Sequence, residues 1–186
     1  TSGLVDYEDL MGDDWQGQIR DAGVLALLAK EDRLYFQPGT AYRYSNSAYA
    51  LLSLVVERAS GMAYPDFLRT RIFGPLGMHQ TLAYVAGGPE PPHRAWGYTA
   101  AGDGWQRTDQ STTSAVLGDG GIYSSIDDLA LWDAALYDDR LLSDASRALA
   151  FSPKVKVTGE PYEAQYGFGW RITGETLWPS GETVGF

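Results

Sequence analysis

The most constraining part of this chain runs from Phe36 to Met78. Pro38 beside Gly39 forces a turn, because the proline ring fixes one φ and the glycine accepts the left-handed region at the next residue. Tyr44, Ser45 and Asn46 then form a polar trio directly ahead of a helical pattern, a placement that belongs at a rim and not in a core. Beyond Ser47, residues Ala48, Leu51, Leu52, Val55, Val56 and Ala59 recur at three- and four-residue intervals, which predicts a helix with one broad apolar face. Gly61 supplies its left-handed stop. Pro65 suits the first turn of a second short helix carrying Phe67, Leu68, Ile72 and Phe73, and Gly74-Pro75 is expected to end it.

Pro38-Gly39, Tyr44-Ser45-Asn46, the helix ending Ser60-Gly61-Met62 and Phe73-Gly74-Pro75-Leu76-Gly77-Met78, in this order and spacing, resemble the serine beta-lactamase and penicillin-binding-protein superfamily. The likeness is to its class C-like branch, with esterases and D-amino-acid peptidases, and extends from Thr1-Ser2-Gly3-Leu4 to Phe186. The resemblance implies an α+β fold. Residues 1–158 would form the mainly helical domain of the beta-lactamase/transpeptidase-like fold with an inserted hairpin, and residues 159–186 part of its antiparallel sheet. It also implies an acyl-enzyme mechanism: a Ser nucleophile and a Lys from a Ser-x-x-Lys helix, a Tyr base from Tyr-x-Asn, and a Lys-Thr-Gly or His-x-Gly motif on a sheet edge. The 186 residues hold no Ser-x-x-Lys, so only part of that set is present. Thr1-Ser2-Gly3-Leu4 follows the nucleophile helix in the look-alike family, and Val184-Gly185-Phe186 reads as mid-strand. The expectation is an excised piece that is inactive by itself.

Charge and composition narrow the partners. A formal net charge of -10 disfavours nucleic acid and anionic membrane surfaces, which need clustered Lys and Arg. The absence of cysteine removes disulfides, thiolate metal sites and a Cys nucleophile. No apolar run approaches the roughly 20 residues that span a bilayer, and the polar N-terminal stretch does not read as a signal peptide. The compartment stays open, with a periplasmic or secreted parent as the resemblance's implication. Neither histidine spacing nor clustered carboxylates suggest a metal, and no cofactor is expected. A small-molecule or peptide substrate is the expected partner, together with self-association through exposed strand edges near Gln165 to Phe186.

Elsewhere the pattern is that of alternating turns and short elements. Asp6 to Asp14 reads as an acidic surface loop, and Asp21 as the cap of a helix burying Val24, Leu25, Leu27 and Leu28. Gly87 to Pro92 is a loop, and Asp103-Gly104 the bend of a hairpin whose arms are Ala95–Thr99 and Trp105–Thr108. Gly118 to Gly121 reads as flexible. Ser125 caps a helix with Asp127 and Asp128 as helix-end charges and Leu129, Trp132 and Leu136 on one face; Ser143 caps another that runs to about Phe151. Tyr166, Phe168 and Trp170 alternate with Gly167, Gly169 and Arg171 as in a strand, and Thr176–Trp178 and Thr183–Phe186 look like pieces of the next.

Tyr44 is the candidate catalytic residue, a base by the resemblance. A free phenol ionises near pH 10, so the phenolate costs about 4 kcal/mol at pH 7, which a neighbouring lysine would largely offset. The plain alternative is a ring that packs while its hydroxyl bonds to backbone. Asn46 would orient the substrate amide, or else cap the helix. The third motif falls at Pro179-Ser180-Gly181, where proline replaces the family's Lys or His and supplies neither a side-chain donor nor an N–H. Ser180 would still bond substrate, and the Glu182 N–H would supply half an oxyanion hole; alternatively the segment is only a turn. Trp96, Trp105 and Tyr123 are candidate cleft or core aromatics, and His79 and His93 read as surface residues. The parent is therefore read as a serine hydrolase for a beta-lactam, D-alanyl peptide or simple ester. The rival is a non-catalytic binding or structural module that keeps the fold.

Overall fold

The computed structural model describes residues 1–185, so Phe186 and the strand piece expected to reach it lie outside the described residues. Among the described residues, six α-helices and three small antiparallel sheets make an α+β architecture. Helix α1 (Asp21–Leu28) packs on α2 (Ser47–Ser60); α3 (Tyr64–Leu68) continues through a π-helical turn (Arg69–Phe73) into α4 (Gly74–Leu76). Strand β1 (Leu82–Ala83) pairs with β4 (Ile122–Tyr123), and β2 (Tyr98–Ala101) with β3 (Gly104–Arg107). Helices α5 (Ile126–Ala135) and α6 (Asp144–Ala150) precede a four-stranded sheet in the order β5 (Val155–Lys156), β6 (Gln165–Tyr166), β7 (Arg171–Thr173) and β8 (Thr176–Trp178).

Three apolar clusters hold these parts together. Leu68, Phe73, Leu76, Met78 and Ala135 join the α3–α4 arm to α5. Tyr7, Ile19, Val24, Ala50 and Val116 join the N-terminal segment, α1 and α2. Tyr42, Val157 and Ala164, with Tyr162, Tyr166 and Trp178 against them, lie beneath the four-stranded sheet.

Helix α2 packs most tightly on a side that its apolar periodicity does not predict, with Ala48, Leu51 and Val56 only partly buried. The side that packs carries Ser47, Ala50 and Ser53, all buried, whereas Leu52 and Val55 are 51% and 58% exposed. Small residues win the packed side because backbone comes very close there: a Cβ on Gly118 would sit 2.2 Å from the Tyr49 carbonyl oxygen. Gly118 is thus a contact point, and the expected flexibility of Gly118–Gly121 does not hold for it.

Other expectations shift for equally local reasons. Gly74-Pro75 does not end its helix; the Gly74 N–H reaches back to the Arg69 carbonyl, and this wider turn accommodates a proline that has no N–H to give. The hairpin bend is Gly102-Asp103, one residue earlier than expected, because Ala101 pairs with Gly104 and Gly102 takes the positive φ at the first turn position. Asp21 begins α1 without capping it, and Leu25 faces solvent. Ser125 and Ser143 do cap α5 and α6. Asp127 and Asp128 stand in the first turn of α5 as expected; Asp128 is in addition a buried acceptor for the Gln80 N–H (2.8 Å) and the Thr81 hydroxyl (2.7 Å), and Leu129 is exposed. The alternation from Tyr166 to Arg171 is a hairpin and not one strand, since Tyr166 pairs with Arg171 across a tight turn, and residues 183–185 form no strand. Strands β5 to β8 find their partners in one another.

Candidate active site

Tyr44 stands just ahead of α2 on a segment tied to the N-terminal stretch through Asn46 and Ser47. The Asn46 N–H donates to Asp6 Oδ2 (3.1 Å), and the Asn46 side-chain amide to Glu8 Oε1 (3.1 Å). Asn46 makes no side-chain cap bond to α2, so the capping alternative for it fails. One residue on, the buried Ser47 hydroxyl accepts from the Tyr7 N–H (2.8 Å) and donates to the Val5 carbonyl (2.7 Å). Arg43 lies over the Tyr35 ring, and the Tyr35 hydroxyl donates to Asp9 at 2.5 Å. The acidic stretch expected at the surface is largely exposed, and it also braces this segment, with the Tyr7 side chain completely buried.

That brace reaches a second loop. The Tyr7 hydroxyl donates to Asp119 Oδ2 at 3.0 Å. Asp119 is carried by the glycine-flanked turn whose Leu117 and Gly118 N–H groups both donate to Asp21 (3.0 and 2.9 Å), and Asp21 also accepts from the Ser53 hydroxyl (2.9 Å). So one carboxylate, Asp21, ties α1, α2 and the Asp119 loop together. The result places Tyr44, Asn46, Gly118 and Asp119 on the walls of two adjoining cavities.

The larger cavity, about 720 Å³, is also lined by Tyr7, Glu8, Tyr123, Gly181 and Glu182. The smaller, about 430 Å³, adds Ser45, Tyr49, Tyr166, Arg171 and Ser180. Tyr44 itself is 56% exposed. Of the four residues expected to form the site, Tyr44 and Asn46 line both cavities, Glu182 the larger and Ser180 the smaller. Tyr123 borders the larger cavity too, whereas Trp96 lies beneath the Arg107 and Arg94 guanidinium groups, Trp105 is mostly exposed, and both histidines are surface residues.

The local field is acidic. Burial raises the Tyr44 phenol above its ordinary range, and the charges of Asp119, Asp6 and Glu8 push in the same direction. Asp119 is pushed up to about 7, mainly by burial and further by repulsion from Asp21 and Glu8, with the Tyr7 hydroxyl bond pulling the other way. A tyrosine in this setting needs a strong nearby cation before it can act as a base near neutral pH. Asp119, Tyr7 and Glu8 on the cavity walls, and Asp6 that holds the Asn46 N–H, belong to the candidate site and were missed by sequence reasoning. An aromatic residue inside an otherwise acidic loop, and an aspartate between two glycine-rich turns, were the available signals.

With this geometry in hand, comparison with known proteins is direct: the family model described as Beta-lactamase matches residues 1–186. The chain belongs to the beta-lactamase family. Its family relatives include Penicillin-binding protein 4* of Bacillus subtilis strain 168, 36% identical over 184 residues, covering 91% of this chain and 40% of that protein. A D-aminopeptidase of Cereibacter sphaeroides is 31% identical over 172 residues, covering 90% of this chain and 32% of its own length. Among solved family structures, a penicillin binding protein from Bacillus halodurans superposes with a TM-score of 0.75 at 26% identity, over 95% of this chain and 55% of that one. An octameric penicillin-binding protein homologue from Pyrococcus abyssi gives 0.72 at 25% identity, over 87% and 37%. The chain spans less than half the length of the curated relatives it matches. Among the described residues, no helix is long and apolar enough to cross a membrane.

Proposed function

We propose that these 186 residues form the base-bearing half of a serine acyl-enzyme site that hydrolyses an ester or amide. The reading rests on one observation above all: Tyr44 stands partly open where two cavities adjoin, with Asn46 on both, Glu182 on the larger and Ser180 on the smaller. In this reading Tyr44 takes the proton of a serine hydroxyl as its oxygen attacks the substrate carbonyl, then returns it to the leaving amine or alcohol. Water releases the acyl group in a second pass. Asn46, oriented by Glu8, positions the substrate amide; Ser180 contributes a hydroxyl contact; the Glu182 N–H holds part of the developing oxyanion. The serine and lysine of that mechanism are not among the 186 residues. In this reading the lysine lowers a phenol that the surrounding carboxylates raise. The D-aminopeptidase relative lends weight to D-configured amides as substrates.

The test is covalent labelling. A full-length protein carrying this chain is incubated with a fluorophosphonate probe and followed by intact mass, with the isolated 186 residues as control. One adduct on the full-length protein and none on the control is the expected result. An adduct on the isolated chain contradicts the assignment of the nucleophile to other polypeptide. Absence of labelling and of turnover on nitrophenyl ester, chromogenic cephalosporin and D-alanine amide would favour the non-catalytic module instead.

A further inference from the structure

The Tyr123 hydroxyl is an acceptor twice over, and its proton is left without a partner. Its oxygen accepts from Arg94 Nη2 at 2.9 Å and from the Gln110 side-chain amide at 3.1 Å. Backbone carbonyls fix the direction of the second bond. Gln110 Nε2 also donates to the Asp109 carbonyl (2.9 Å), while Gln110 Oε1 accepts from Gln18 Nε2 (3.1 Å), a nitrogen that the Ser111 carbonyl holds in turn (3.0 Å). A flipped Gln110 amide would set its oxygen against the Asp109 carbonyl. Neither a guanidinium nor an amide nitrogen can accept, so the phenolic proton cannot go to either neighbour. Among the described residues, no acceptor takes it.

The ring is held as firmly as the hydroxyl. The Arg94 side chain, 4% exposed, is anchored by Asp109 and Glu90, each at 2.6 Å, and its guanidinium lies 4.7 Å from the Tyr123 ring, 4.6 Å from Tyr84 and 4.2 Å from Trp96. Tyr84 meets Tyr123 edge-on with ring centroids 5.3 Å apart, and β4 fixes the backbone by pairing Tyr123 with Leu82. Tyr123 is nevertheless only partly buried: it lines the larger cavity, and the Gln110 bond to its hydroxyl is exposed. A donor oriented in advance binds an acceptor with little further loss of side-chain freedom.

Charge and position say which acceptor fits. Glu8, Asp119 and Glu182 line the same cavity, and no Lys or Arg is among its described walls, so a carboxylate or phosphate is disfavoured and a neutral carbonyl oxygen is suited. Tyr44 and Asn46 line both cavities, whereas Tyr123 lines the larger and not the smaller. A carbonyl that reaches Tyr123 therefore lies beyond the amide assigned to Asn46. We propose that Tyr123 donates to a second acyl-side carbonyl of the substrate, one residue past the amide that Asn46 positions, so that the site is built for acylated peptides and not for single amino-acid amides. The leaving group departs before water attacks, and an acyl-side carbonyl keeps this bond through both steps. The assignment rests on the hydrolase reading, since it takes Tyr44 and Asn46 in the roles given above.

Two 4-nitrophenyl esters test it on the full-length protein: that of N-(acetylglycyl)-D-alanine, and that of N-pentanoyl-D-alanine, in which two methylenes replace the outer amide. The wild type should favour the acetylglycyl ester at least about tenfold in kcat/KM, because a site with an oriented donor discriminates against a ligand that lacks the acceptor. Tyr123→Phe should remove that preference by slowing the acetylglycyl ester, with the pentanoyl ester within about twofold of wild type. Should Tyr123→Phe not fold, Gln110→Glu serves as the second variant: it keeps the phenol but sets an acceptor beside it that captures the proton, and the same selective loss is expected. Hydrolysis of the two esters within about threefold by the wild type, an equal loss on both in the variants, or a preference that survives in Tyr123→Phe overturns the proposal. If any of these is found while Tyr44→Phe abolishes hydrolysis, the Tyr123 assignment falls alone. Calorimetric titration with the two corresponding D-alaninamides covers the converse case. Tighter binding of the acetylglycyl amide that Tyr123→Phe removes, with neither ester hydrolysed, removes the catalytic reading and leaves a peptide-carbonyl site.

Discussion

Asp119→Asn offers a measurement whose sign depends on pH. The native carboxyl ionises near 7, whereas in an unfolded chain it ionises at roughly 3.9. Between those values the folded protein holds a proton that the unfolded chain has released, so stability falls as pH rises through that interval and levels off above it. The interval spans about three pH units, and at 1.36 kcal/mol each the ceiling is about 4 kcal/mol. Solvent at the open side of the cavity reduces this to about 2 kcal/mol. The amide keeps an acceptor for the Tyr7 hydroxyl, now bonded at 3.0 Å, and cannot ionise. The variant should therefore match the wild type at pH 4 and exceed it by about 2 kcal/mol at pH 8. Urea unfolding followed by tryptophan fluorescence at pH 4, 6 and 8 measures the difference, provided the slope with denaturant is unchanged. A difference that is the same at pH 4 and pH 8, or a variant less stable than wild type at pH 8, would refute the reasoning.

Other consequences are simpler to check. Gly118→Ala drives a methyl group into the Tyr49 carbonyl, backbone against backbone, and should cost about 3 kcal/mol or prevent folding, as read from urea midpoints. Arg94→Met leaves the buried Asp109 with only the half-exposed Arg107 as a cationic partner, and a loss of about 2–3 kcal/mol is expected; Arg94→Met with Asp109→Leu should recover much of it. Strands β5 and β8 form the edges of the four-stranded sheet, and we propose that they support self-association; light scattering should then show apparent mass rising with concentration. A mass that stays monomeric up to crystallisation concentrations removes that proposal.

The sequence was informative where a local rule decides the outcome. Ser125 and Ser143 cap helices because a hydroxyl there meets an N–H three residues on, and Gly61 follows α2 because helices end that way. The polar trio at Tyr44 to Asn46 advertises a rim for the same reason. Long-range closeness is another matter. Nothing in the period of α2 says that Gly118 will press on its backbone, so the period alone does not show that Ser47, Ala50 and Ser53 take the packed side while Leu52 and Val55 face solvent. The partners of Asp21 lie 96 and 97 residues away, and no spacing rule links them to a helix start. Likewise Tyr7 and Asp119 are 112 residues apart, and their bond exists only because α1, α2 and the Asp119 loop share one anchor. Arg171 looked like the polar member of an alternating strand; that its charge is buried without a carboxylate follows from the fold around Tyr42 and Trp178.

The central claim is that Tyr44 moves the proton in the acylation step. Its most direct test is the pre-steady-state acylation rate of full-length wild type and of Tyr44→Phe on an activated ester across pH 5 to 10, with ground-state binding measured in parallel. The account predicts a loss of at least about a hundredfold in acylation with little change in binding, and disappearance of the basic group from the pH profile. Acylation within threefold of wild type by Tyr44→Phe, with the same pH profile, would contradict it.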